Sequence, residues 1–268
     1  MKSATDRKPI SSLIFRTPIE LFNTMSGREK IFLALLLVFL FDYSFPSVFY
    51  FYGKRNVSGW LLQENGIYES LGAIVCLVGC VFLTAGYFKY DVGNNFGLFR
   101  TKRNIFFLLL AIFLLFVAGE EVSWGQKLFG FRAPDLISSV NFQKELNIHN
   151  LKIIQESNNA LAMSACRLLL AYLILLPMAL FTFPTFGKFF TLVRVPVATV
   201  PVSLLALTNY FISVFLNSFE IFRNWTHDGL SEVFETNLEI ILLVFALEIY
   251  FSAKKEVGRT TAEENVRE

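Results

Sequence analysis

Six long apolar runs, separated by shorter polar segments, divide the chain. They cover about residues 31–51, 67–88, 104–118, 160–183, 192–219 and 233–251. A helix needs roughly 20 apolar residues to cross a bilayer, and the runs are close to that length. The third run is short, so we expect its helix to continue through Glu120 and Glu121. The pattern predicts an all-α polytopic transmembrane helical bundle with about six spans.

Composition supports a membrane protein and argues against other classes. Of the 268 residues, 54% are hydrophobic and only 17% are charged, and the mean hydropathy is +0.51. A soluble domain of this size could not hide so much apolar surface. The net charge is +2, and no basic patch with interleaved aromatic residues indicates nucleic acid. The predicted partner is therefore the lipid bilayer, and the sequence identifies no protein partner.

Basic residues predict the orientation of the bundle. Sixteen Lys and Arg residues lie in the N-terminal segment, the second and fourth loops and the C-terminal tail, against seven in the other loops. Cytoplasmic loops carry the excess of Lys and Arg, so both termini should be cytoplasmic. We predict a cytoplasmic segment over 1–30, the bundle over 31–252 and a disordered cytoplasmic tail over 253–268. The expected location is a bacterial inner (plasma) membrane.

Polar residues near the ends of the runs are concentrated on the predicted outer side. Ionisable groups in hydrocarbon are costly and usually functional, so this end should hold the site. The members are Asp42, Glu120, Glu121, Ser123, Gln126, Glu145, Asn147, His149, Asn150, His227, Asp228, Glu232, Glu235 and Glu239. Glu248 is the exception, because it lies near the cytoplasmic end of its run.

The connection over 120–159 is the one long loop, and we predict that it is structured and extracytoplasmic. Residues 129–135 are typical of a turn that leads into a short helix, with Asp135 at its N-terminus. Polar and apolar residues then alternate from Asn141 to His149. A period of two predicts an extended stretch with one polar face, although a helix would also bring Glu145 beside His149.

Two histidines suggest a metal site. His149 and His227 are the only histidines in the chain, and both fall on the outer side. Together with Glu121 they are suitable ligands for one divalent metal: zinc, iron or manganese. Glu120 or Asp228 would then act as the general base. The spacing matches no compact metal motif, so the alternative is two histidines that only form hydrogen bonds in polar loops.

Further residues are candidates for binding a substrate. Glu235 and Glu239 share one helical face with Glu232, where bare carboxylates would repel unless protonated, paired or bound to a cation. Arg167 lies inside the fourth run, where it either pairs with a carboxylate or binds a phosphate or carboxylate headgroup. Trp124 is typical of an interfacial anchor or a cavity wall.

Two stretches carry a resemblance. The sequences EEVSWGQKLFGF at 120–131 and NFQKELNIHN at 141–150 resemble a group of uncharacterised bacterial polytopic membrane proteins, which implies no known activity. A looser likeness is to the alkaline-ceramidase-like membrane hydrolases. That likeness implies several spans and a zinc ion held by histidines and assisted by Ser and Asp. Their pattern has three histidines, so a carboxylate would have to replace one ligand here.

Three functions are compatible with the sequence. The first is a metal-dependent hydrolase or transferase that acts on a lipid or lipid-linked substrate at the extracytoplasmic face. The second is a proton- or cation-coupled transporter that uses the carboxylates at membrane depth. The third is a non-catalytic membrane assembly subunit, in which the polar residues only lock the long loop to the bundle.

Overall fold

The regular secondary structure of the described residues is helical. This computed structural model describes residues 26–51, 66–90, 103–148, 151–153, 160–219 and 229–265. Within these ranges the only β contact is an isolated antiparallel bridge between Asn141 and Leu151. The predicted all-α class is therefore confirmed.

Ten helices occur in the described ranges. They are α1 (Gly27–Phe51), α2 (Ile67–Lys89), α3 (Ile105–Glu121), α4 (Gln126–Phe129), α5 (Asp135–Val140), α6 (Ala160–Leu170), α7 (Leu176–Thr182), α8 (Pro184–Val193), α9 (Val200–Asn217) and α10 (Gly229–Asn265). A 3-10 turn over Ser123–Gly125 joins α3 to α4, and a π-helical turn over Ala171–Leu175 joins α6 to α7.

Four helical stretches of the described residues are long and apolar enough to cross a membrane, which supports an integral membrane protein. They are Ile67–Lys89, Ala165–Thr182, Val200–Asn217 and Ser231–Gly258. The third run forms α3, which includes Glu120 and Glu121 as expected. The fifth run does not begin its helix at Leu192. Its helix begins at Val200, with Pro201 in the first turn, where a missing N–H is harmless.

The C-terminal tail differs from the prediction. A disordered segment was expected from residue 253, but α10 continues to Asn265. The whole helix has 37 residues. Extending an existing helix costs far less than starting one, and the Lys, Glu and Ala residues of the tail favour helix. At 1.5 Å per residue α10 is about 55 Å long, so it exceeds the apolar thickness of a bilayer.

Glycines on α2 set the packing of the bundle. Gly72, Gly79 and Gly86 recur at every seventh residue and form one stripe. A Cβ at Gly79 would lie 2.7 Å from Leu114 Cδ1 of α3, and one at Gly86 would lie 3.3 Å from the Phe107 ring. Residue numbers on α3 fall as those on α2 rise, so the two helices are antiparallel. Small residues permit this close approach.

Contacts define two ends of the bundle. At one end the Tyr68 hydroxyl donates to the Asp42 carbonyl at 3.4 Å, and Glu239 lies against Gly72. At the opposite end the Thr199 hydroxyl donates to the Glu248 carboxylate at 2.8 Å. Asp42 and Glu239 therefore share one end, which we call the acidic end, and Glu248 lies at the other.

Between the two ends the core is apolar. The buried side chains at mid-height come from the long helices around α2, and no described Asp, Glu, Lys or Arg belongs to this cluster. They include Leu83, Leu114, Leu173, Val202, Leu205, Ile241, Leu242 and Phe245. A polar site at the acidic end is therefore separated from the opposite end by packed hydrocarbon.

Candidate functional site

The C-terminal end of α3 makes an abrupt left-handed turn. Ser123, Trp124 and Gly125 have φ values of 47°, 53° and 83°. Glycine tolerates this region, but for serine and tryptophan it is uncommon and costs on the order of 1–3 kcal/mol each. Such a turn persists only where the surrounding contacts hold it.

Glu120 supplies the first of those contacts. Its carboxylate is 7% exposed and accepts hydrogen bonds from Trp124 Nε1 at 2.7 Å and from the Ile148 backbone N–H at 2.6 Å. The Trp124 ring lies over Gly119, where a Cβ would be 3.0 Å from the ring carbons. The carboxylate thus joins the end of α3 to the chain directly before His149.

Ser123 supplies the second contact. Its hydroxyl is completely buried and donates to Glu145 Oε2 at 2.8 Å. Asn147 Nδ2 donates to the same oxygen at 2.9 Å and to Ser123 Oγ at 3.3 Å. Hydrogen bonds to a carboxylate are among the stronger ones in proteins, so this triangle fixes Glu145 against the left-handed turn.

Amide side chains complete the connection. Gln126 Oε1 accepts from the Leu146 backbone N–H at 2.6 Å, and Asn141 Oδ1 accepts from the Gln143 and Glu145 backbone N–H groups. Residues 141–148 are therefore irregular and not helical. We call this set the clasp; its members are Glu120, Ser123, Trp124, Gln126, Asn141, Glu145 and Asn147.

A second polar group lies between α2 and α10. The Glu239 side chain is 5% exposed, and its Oε2 would be 1.9 Å from a Cβ at Gly72. The buried Cys76 thiol borders the Glu239 carboxylate and is within electrostatic range of Glu121. Only glycine at position 72 leaves room for this carboxylate.

Other carboxylates surround Glu239. Glu235, Glu232 and Glu69 all interact with it electrostatically. We call these four residues and Glu121 the carboxylate cluster. Within the described part of the chain Glu239 makes no ion pair with a basic residue. A charged carboxylate at membrane depth costs free energy unless it is protonated, paired or bound to a cation. This cluster therefore needs a proton or a cation to be stable in the membrane.

Asn237 is an unsatisfied amide on the other side of α10. Neither Nδ2 nor Oδ1 finds a hydrogen-bond partner among the described residues, although the side chain is fully buried near Tyr43. Asn209 contrasts with it, because Oδ1 accepts from the Tyr43 hydroxyl at 2.7 Å and Nδ2 donates to the Phe234 carbonyl at 3.0 Å. Residues two apart are about 200° apart on a helix, so Asn237 and Glu239 face different neighbours.

The structure brings several of the predicted site residues to the acidic end. Arg167 follows Cys166, which interacts electrostatically with Glu235. Arg167 is exposed and makes no ion pair with a described residue, so the predicted pairing is not seen there. Glu235 is exposed as well, whereas Glu239 is buried. Glu120 and Trp124 belong to the clasp.

The predicted metal ligands are only partly described. Glu121 ends α3 beside Cys76, whereas His149, His227 and Asp228 lie outside the described residues. Among the residues that are described, no three His, Cys, Asp or Glu side chains converge to hold a metal ion. The metal set of Glu121, His149 and His227 stays a prediction.

Sequence reasoning missed four residues at this end: Gly72, Cys76, Asn209 and Asn237. The glycine spacing on α2 was a visible sign of close helix packing. The two asparagines interrupt apolar runs, which marks them as costly in the same way as the carboxylates. Comparisons with protein-family models, with curated proteins and with solved structures find no match.

Proposed function

We propose that this protein is an integral membrane enzyme, a hydrolase or transferase, that acts on a lipid or lipid-linked substrate from the acidic end. One observation carries the proposal: the polar chemistry lies at one end of the bundle, above an apolar core. A site open to one face suits a substrate that arrives from one leaflet. We place the protein in a bacterial inner membrane, with six spans, both termini cytoplasmic and the acidic end outside.

The geometry favours different roles for neighbouring residues. Both Glu120 oxygens already accept hydrogen bonds, so Glu120 fits a positioning role that holds Glu121 at the end of α3. Asp228 then remains the better candidate for the general base. Arg167 is exposed at the same end and would orient an anionic headgroup through paired hydrogen bonds.

A divalent metal is the proposed cofactor. His149, His227 and Glu121 would hold zinc, iron or manganese, and such an ion lowers the pKa of bound water to near neutral pH. The buried Glu239 would help to set the charge of that environment.

The test is metal content combined with turnover. Detergent-purified protein is analysed by mass spectrometry for zinc, iron and manganese, beside His149→Ala and His227→Ala. It is also assayed on ester-, amide- and phosphate-linked lipids. We expect about one metal per chain, lost in both variants while thermal unfolding is retained. Glu248→Ala, at the opposite end, is the matched control and should keep both metal and activity.

Absence of metal from well-folded protein, even after zinc, iron or manganese is added, would contradict the metal-dependent mechanism. Absence of turnover on all three lipid classes with the metal bound would leave a metal site without the proposed reaction. Each failure therefore removes a different part of the proposal.

A proton- or cation-coupled transporter is the second candidate, and the buried Glu239 carboxylate favours it. The packed core argues against it, because apolar side chains fill the described core between Glu239 at the acidic end and Glu248 at the opposite end. Uptake driven by a pH gradient in liposomes, compared between the native chain and Glu239→Gln, separates the two. Flux that depends on Glu239 would favour the transporter. If metal, turnover and flux are all absent, the non-catalytic assembly subunit is the remaining function.

A further inference from the structure

The segment between α3 and α6 exposes large apolar side chains. Phe129, Leu136 and Ile153 are 76%, 81% and 77% exposed, and smaller exposed fractions belong to Phe131, Val140, Phe142 and Ile148. Contiguous exposed apolar patches mark sites of interaction with proteins, ligands or membranes. The exposed apolar patch between α3 and α6 is therefore a candidate for such a site.

Two contacts join these side chains into one surface. The Asn141–Leu151 bridge places the residues after α5 beside the chain at 151. Lys152 Nζ donates to the Ser139 carbonyl at 2.8 Å, which brings residue 153 beside α5. We call residues 129–142, 148 and 151–153 the platform. The clasp fixes it to the end of α3.

The helix register places the platform at the membrane boundary. Phe107 of α3 packs against Gly86 of α2, and Leu114 packs against Gly79. Continuing this antiparallel register puts Trp124 level with about residue 69 of α2. The candidate span of α2 begins at Ile67. The platform therefore leaves α3 at the height where the apolar span ends, which is the headgroup region of a bilayer.

Charge on the platform and its edge suits an anionic surface. Arg132 and Lys144 are exposed, whereas Asp135 is the only exposed acid among the described platform residues. The nearby Glu120 and Glu145 carboxylates are bound within the clasp. Basic residues near a membrane surface are attracted to anionic lipids.

We propose that the platform lies in the interface of the bilayer that the bundle spans, with Leu136, Phe129 and Ile153 among the acyl chains. Arg132 and Lys144 then contact anionic phospholipid headgroups. Apolar faces of this kind enter about 5–10 Å into the headgroup–acyl boundary. The inference is independent of the proposed reaction, because it rests on exposure, register and charge.

The experiment uses the full chain reconstituted in vesicles. Cys76, Cys80 and Cys166 are replaced by alanine, and single cysteines are introduced as Leu136→Cys, Ile153→Cys and, as the polar control, Lys144→Cys. Each is labelled with an environment-sensitive fluorophore. Vesicles contain phosphatidylcholine alone or mixed with phosphatidylglycerol, together with lipids that carry a quencher near the start of the acyl chain. Size-exclusion profiles confirm that each variant is folded.

The label at 136 and the label at 153 should be quenched several-fold more strongly than the label at 144. Labels that remain in water at both apolar positions would overturn the proposal. Labels that are shielded from water but not quenched by lipid would also overturn it, because protein would then cover the platform.

The preference for anionic lipid has its own test. In mixed vesicles, Arg132→Glu combined with Lys144→Glu should reduce quenching of the label at 136, and in pure phosphatidylcholine the same change should have little effect. Equal quenching in both lipids, unchanged by charge reversal, would overturn the anionic part of the proposal.

Discussion

The clasp and the carboxylate cluster both lie at the acidic end, yet the environments of their buried polar groups differ. In the clasp, Glu120 and Ser123 are buried and their side-chain oxygens are hydrogen-bonded within the chain. Around α10, Glu239 is buried beside other carboxylates, and Asn237 has no hydrogen-bond partner among the described residues.

The two regions differ in whether their buried polar groups are hydrogen-bonded within the chain. Satisfied buried networks hold one conformation, because breaking any bond leaves a desolvated group behind. Buried polar groups with fewer such bonds cost stability, and positions of this kind are candidates for contact with a ligand or for a reaction. Within the EEVSWGQ stretch, Glu120, Ser123, Trp124 and Gln126 hold the connection to residues 141–148, whereas Glu121 belongs to the carboxylate cluster.

The largest expected effect comes from breaking the clasp. Glu120→Ala removes the acceptor of two buried hydrogen bonds, so we expect the free energy of unfolding to fall by about 3–5 kcal/mol. Thermal or denaturant unfolding in detergent measures it. Glu235→Ala, an exposed carboxylate at the same end, is the control and should change stability little. Equal stability of both variants would mean that the clasp is not a structural network.

A smaller loss is expected where Glu239 meets α2. Gly72→Ala places a methyl group in the space of the carboxylate, and overpacking of this kind costs about 1–3 kcal/mol. Adding Glu239→Ala should restore stability, since the clash disappears. Gly258→Ala is the control, because nothing lies within 4 Å of its Cβ position. A double variant no more stable than Gly72→Ala would contradict this packing.

The asparagine pair tests the unsatisfied amide directly. Asn237→Leu should raise the free energy of unfolding by about 1 kcal/mol, because it removes a buried amide whose two polar atoms lie near Tyr43 but reach no hydrogen-bond distance from a described residue. Asn209→Leu is the matched control and should lower it by about 2 kcal/mol, because two hydrogen bonds are lost. If both changes destabilise the protein equally, the Asn237 amide is hydrogen-bonded in the folded protein. The proposed difference between the clasp and the surroundings of α10 would then be wrong.

The smallest effect concerns a carboxylate in water, outside both regions. The Ser26 backbone N–H donates to Glu29 Oε2 at 2.6 Å and holds the pKa of Glu29 below its usual value. Because the pKa is lowered on folding, this contribution is present above the ordinary Glu pKa and is lost as pH falls through the folded value. Amide exchange in the first turn of α1 should therefore quicken, relative to intrinsic rates, in acid.

Glu29→Gln should remove most of that pH dependence, whereas Glu256→Gln, near the other end of the chain, should leave it unchanged. An unaltered profile in Glu29→Gln would show that the Ser26 contact does not stabilise the helix start.

Part of the site was readable from the sequence. The position of Glu120 and Glu121 at the end of a helix followed from the length of the third apolar run, and the short helix at Asp135 followed from the turn before it. The gathering of Asp42 and Glu239 at one end followed from counting spans. The partners of Glu120 could not be predicted, because they depend on the left-handed turn at Ser123 and Trp124, which local propensity disfavours.

The amino-acid sequence by itself determined the helical membrane class and the concentration of polar residues towards one end, because apolar length and the cost of buried charge are local properties of the chain. The tertiary structure decided which of those polar residues are satisfied. Glu120 and Glu121 are adjacent in the chain, yet one is bound in the clasp and the other lies near Cys76. That division depends on which side chains from distant segments come within hydrogen-bond distance, and only packing sets those distances.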